Sequence, residues 1–202
     1  MGLFDLFSRK KDKINYEAFA LILYNNYYLS TQDDKISLIP NPSWFKELEY
    51  LREWYNTLTD IEKRSLQHAC HSLAIFITLA ACRTSIANGE KYNKVRVYFL
   101  NLLKDEFGRL GLSSEYQFLM RILDRATPQY NTFLKALATG SEFVDTTLYV
   151  LLKNICLDIG LHDEKLNPAV NMYISGVAIL NYKIHIEALR KATERFEIVE
   201  QI

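Results

Sequence analysis

Apolar residues recur at intervals of three and four through most of the chain. Phe143 or Val144, Leu148, Leu151, Ile155 and Ile159 share one helical face. Val170, Tyr173, Val177, Leu180 and Ile184 share another, and Tyr130, Phe133, Leu134 and Leu137 form a shorter one. Strands would need alternation at every second residue. The run Val95–Phe99 has a strand-like composition, but Tyr92, Val95, Phe99 and Leu102 continue in helical register, so it reads as helix. From Ala69 to Ala81 the apolar residues, among them Leu73, Ile75, Phe76, Ile77 and Leu79, point in every direction. A helix of that kind belongs at the centre, enclosed by amphipathic ones.

Helix ends are marked by local chemistry. Asn41-Pro42, Thr127-Pro128 and Asn167-Pro168 each place a capping residue before a proline at the first helical position. Thr59-Asp60-Ile61-Glu62 fits a capping box, and Ser114 to Gln117 fits it less well. Gly89, Gly140 and Gly160 each follow an apolar-periodic segment and read as helix stops. The map is seven or eight helices, near 14–29, 42–57, 60–88, 91–107, 114–125, 128–139, 141–159 and 168–198. It predicts an all-α, single-domain antiparallel bundle (14–202) around the apolar helix at 60–88, preceded by an amphipathic N-terminal arm (1–13). No repeat of fixed period is present.

Composition narrows the class without changing this map. The 202 residues are 49% hydrophobic with only 7 Gly and 4 Pro, which excludes a disordered or low-complexity chain. Charge balances at 24 Lys+Arg against 24 Asp+Glu, so no overall field draws the protein onto nucleic acid, and nucleic-acid binding is not expected. Cys70, Cys82 and Cys156 are odd in number and lie in apolar runs, which predicts reduced, buried thiols and a cytoplasmic location. No secretory signal is visible, because the basic residues follow the apolar stretch at the start. The segment from Ala69 to Ala87 carries His71 and Arg83, which suits a buried helix better than a membrane span of about 20 apolar residues.

Several kinds of chemistry have no footing. The glycines never form the G-x-G-x-x-G or G-x-x-x-x-G-K-[ST] spacing of phosphate-binding loops, and Gly108-Arg109-Leu110-Gly111 reads as a helix stop and turn. No G-x-S-x-G elbow is present, and no cofactor is expected. His68 and His71 lie three apart on one helix face, but neither H-E-x-x-H nor C-x-x-C accompanies them, so no metal site is expected. Arg83 follows Ala80-Ala81-Cys82 near the end of the core helix. If enclosed it needs a carboxylate or a bound anion; otherwise it interacts with the C-terminal dipole of its own helix. A ligand or catalytic site built from Arg83, His68 and His71 is the weakest of the readings that the residues allow.

Two features point outward instead. Leu3, Phe4, Leu6 and Phe7 stand within two helical turns and are followed by Arg9, Lys10 and Lys11. Such an arm can dock its phenylalanines on protein, or lie on the inner face of a membrane with its cations on anionic lipid. N-myristoylation is not indicated, since Leu6 occupies the position of the required Ser or Thr. The 13 tyrosines cluster at Tyr24, Tyr27 and Tyr28 and again beside Trp54 and Tyr55, more than one helical face can bury. The chain therefore reads as a non-catalytic adaptor, regulator or inhibitor. Phe4, Phe7, Tyr24, Tyr27, Tyr28, Trp54 and Tyr55 would contact another protein or a second copy. A peripheral membrane protein is the alternative.

Overall fold

The computed structural model describes residues 11–32, 49–139 and 168–200, and most of these are helical. In chain order they form β1 (Asp12–Asn15), α1 (Tyr16–Gln32), α2 (Glu49–Thr57), α3 (Asp60–Ser85), α4 (Gly89–Arg109), α5 (Ser113–Ala138), α6 (Pro168–Arg195) and β2 (Phe196–Val199). The expected helix at 141–159 and most of the arm lie outside the described residues.

Local chemistry sets several of the ends. Asn15 closes β1 and caps α1, its Oδ1 accepting from the Ala18 amide at 2.8 Å. At α3 the capping box is complete: the Glu62 amide donates to Thr59 Oγ1 at 3.3 Å, and the Thr59 amide donates to Glu62 Oε2 at 2.8 Å. The run at 95–99 is helical, inside α4.

α4 ends in a Schellman turn. The Leu112 amide donates to the Phe107 carbonyl at 2.7 Å and the Gly111 amide to the Gly108 carbonyl at 3.0 Å. Gly111 takes the left-handed conformation there, φ 72°.

Three expectations are corrected. Gly89 opens α4 instead of closing the helix before it, because Asn88 Oδ1 caps the Lys91 amide at 3.0 Å. Residues 113–138 form one helix with Pro128 inside it, not two helices. Finally, residues 14–15 and 196–198 are strand and not helix ends, since α6 stops at Arg195 and β2 pairs in parallel with β1, Ile14 opposite Ile198, while the all-α class stands. The pair fastens the two ends of the described chain. Ile198 is buried and Ile14 packs on the core, while Lys13 and Glu197 face solvent. Lys91 Nζ donates to the Ile198 carbonyl at 2.7 Å, and Lys11 Nζ donates to the Thr193 carbonyl at 2.6 Å.

α3 is the core helix. Sixteen of its residues are buried, including an unbroken run from Ser72 to Cys82, and it packs against α1, α4, α5 and α6. It is long and apolar enough to cross a membrane, but 83% of its apolar window is buried inside the protein. Covering such a helix with neighbours removes its apolar surface from water at about 25 cal/mol per Å².

Candidate functional site

A densely bonded polar cluster among the described residues lies where α1, α3 and α6 meet. Ser30, Thr78, Asn181 and His185 are each fully buried, and Asn26 is nearly so. Ser30 Oγ lies 2.8 Å from Asn181 Oδ1, 2.9 Å from His185 Nε2 and 3.1 Å from the Asn26 carbonyl. Thr78 Oγ1 donates to the Ala74 carbonyl at 2.9 Å and stands 3.5 Å from His185 Nδ1. Asn181 Nδ2 donates to the Val177 carbonyl at 2.9 Å.

Asn181 Oδ1 and the Asn26 carbonyl can only accept, and the Ser30 hydroxyl is the donor that faces both. The contact of Ser30 Oγ with His185 Nε2 runs in the direction set by the ring tautomer. Burial pushes the His185 pKa down to about 4, so the ring is neutral at neutral pH. Asn26 Nδ2 is a buried donor with no hydrogen-bond partner among the described residues.

A second histidine holds the same stretch of α1. The Tyr27 hydroxyl lies 3.0 Å from His71 Nδ1, and the Tyr27 ring meets Phe99 edge-on with centroids 6.3 Å apart. Burial raises the Tyr27 hydroxyl above the ordinary tyrosine range. Burial, and then the adjacent His68, lowers His71 to about 4. His68 itself is half-buried, with its ring edge-on to Phe118 at 5.1 Å. The two histidines of α3 therefore face different neighbours, α1 and α5, and do not converge on one ligand.

Arg83 is spent on its own helix end. Its Nη1 donates to the Ile86 and Ala87 carbonyls at 3.1 and 3.3 Å, and its guanidinium stands 5.5 Å from the Tyr92 ring centroid. Cys82 is buried, and burial raises its thiol pKa to about 12, which leaves it unreactive.

The aromatic residues singled out from sequence separate into two groups. Tyr27, Trp54 and Tyr55 are buried core residues, and Tyr24 is partly buried. Tyr28 is 54% exposed and lies on the outer face of α1 with Leu21 and Leu29, which are 48% and 41% exposed. Sequence reasoning did not mark those two leucines, although their place opposite Phe19, Leu23 and Tyr27 on the helical wheel was available to it. It also passed over Ser30, Thr78, Asn181 and His185. Of the arm, Leu3, Phe4, Leu6, Phe7, Arg9 and Lys10 lie outside the described residues, whereas Lys11 is tied to the end of α6.

No protein-family description, curated protein or solved structure matches the chain.

Proposed function

We propose that this chain is a non-catalytic helical interaction module, a single-domain bundle that offers the outer face of α1 to another protein. The observation that carries the reading is the pairing of Leu21 with Tyr28. They lie seven residues apart on one helical face, both about half exposed, while the opposite face of α1 is buried. Leu29 extends the patch by one position. Tyrosine beside leucine gives a large apolar contact with one polar tip, the chemistry favoured in the centre of protein interfaces.

The polar residues capable of chemistry support the same reading. His71 and His185 serve helix contacts, Ser30 donates to an amide, and Arg83 caps a helix. The test is a Leu21→Ala/Tyr28→Ala variant compared with the wild-type chain in pull-down from native extract and in light scattering. Circular dichroism would verify that both are folded. The proposal expects associations seen with the wild type to weaken by about tenfold or more, as for loss of central aromatic contacts. Retention of every association at wild-type strength overturns it.

A further inference from the structure

We propose that the C-terminal half of α1 is an acid-released segment, held to α3 and α6 by His71 and His185 while both rings are neutral and let go when they take up protons. The geometry is a pair of attachments one helical turn apart. Tyr27 is bonded to His71 of α3 at 3.0 Å, and Ser30 is bonded to His185 of α6 at 2.9 Å.

What surrounds the two rings makes them intolerant of charge. Around His185 the groups are Ser30 and the Asn26 carbonyl from α1, Thr78 from α3, and Asn181 from its own helix, all neutral, and the Asn26 carbonyl favours the charged ring by less than burial opposes it. The described charges on α6 are engaged elsewhere or exposed: Glu187 pairs with Lys191 at 2.8 Å, and Lys183 faces solvent. Around His71 stand the Tyr27 hydroxyl from α1, with Phe99 of α4 against the Tyr27 ring, and the like-charging His68 one turn away on α3. Glu115 of α5 acts on His68 and not on the other two rings.

A proton on either ring thus creates a buried cation with no described carboxylate to meet it. That cost is relieved when α1 swings off and water reaches the imidazole. The Tyr27–His71 bond also needs an accepting Nδ1 if the hydroxyl donates, and protonation abolishes that acceptor. α1 is the part that yields because both attachments are side-chain contacts to it, whereas α3 and α6 pack on each other more extensively than either packs on α1. The same helix carries the face of the proposed interaction, but this inference concerns the helix itself and does not require that reading.

Hydrogen exchange of the full chain, corrected for the intrinsic pH dependence of exchange, tests it. Between about pH 7.5 and about pH 5, protection across residues 24–32 should fall about tenfold or more beyond any fall across residues 91–109 of α4. In a His71→Gln/His185→Gln variant the difference between the two pH values should disappear. Equal loss of protection throughout the chain overturns the proposal, as does an unchanged acid response in the double variant. A titration of the ring protons of the wild-type protein needs no variant. Midpoints near about 6.5 for both histidines in the folded chain would also overturn it.

Discussion

Ser30 Oγ on α1 lies 2.9 Å from His185 Nε2 on α6 across 155 residues of sequence, and neither residue is exposed to solvent. One hydroxyl thereby joins two helices and donates a hydrogen bond to a third group, Asn181 Oδ1. In a site closed to water each member depends on the others, since a buried polar group stripped of its partner bears its full desolvation cost.

Ser30→Ala is therefore expected to destabilise the protein by about 1–3 kcal/mol, because it removes the hydroxyl that meets both His185 Nε2 and Asn181 Oδ1 in a site closed to water. Urea unfolding followed by circular dichroism measures this. A loss under about 0.5 kcal/mol would mean that the three groups do not form the bonded cluster described.

Stability should fall in acid, with a sign set by burial. His185 is depressed to about 4 in the folded protein, against about 6.5 when unfolded, so the unfolded state takes up the proton first as the pH drops. The stability is fully present above about pH 6.5 and is lost as the pH falls through the window down to about 4. The difference corresponds to about 3 kcal/mol as an upper bound for this residue. His71 shifts in the same direction and acts over the same window. Urea midpoints recorded across that range should decline in the wild type and decline less steeply in His185→Gln. A flat profile in the wild type would contradict the assignment of buried neutral rings.

Arg83→Met is expected to cost about 0.5–1 kcal/mol, through loss of the donors to the Ile86 and Ala87 carbonyls and of the contact with the Tyr92 ring. If the guanidinium serves only this helix end, phosphate should shift the thermal midpoints of wild type and variant equally. A larger phosphate effect on the wild type would show that Arg83 has an anionic ligand after all.

Removing the capping box by Thr59→Ala should cost about 1 kcal/mol, and Leu73→Ala in the fully buried centre of the same helix about 2–5 kcal/mol. Chemical denaturation of the two variants side by side tests the ranking. Equal losses would place Leu73 outside the tightly packed core.

Helices and their start signals were legible wherever the cause is local. The capping box at Thr59 joins residues three apart, and the register through Val95 and Phe99 needs only a single face to be buried. The apolar run of α3 announced a central helix because a cylinder greasy on every side has to be enclosed on every side. The proline signal failed at Pro128. A proline suits a first turn, but its presence does not oblige the preceding helix to stop, and α5 continues through it.

Sequence by itself determined that the described chain is mostly helical and that α3 sits innermost, because each of those depends on neighbours within a turn or two. Only the tertiary structure decided that Tyr27 turns inward and Tyr28 outward, that His185 meets Ser30, and that four residues at each end pair as β1 and β2. The physical reason is separation along the chain. A buried polar residue or a four-residue strand carries no periodic signature of its own, and its partner is brought to it by packing from more than a hundred residues away.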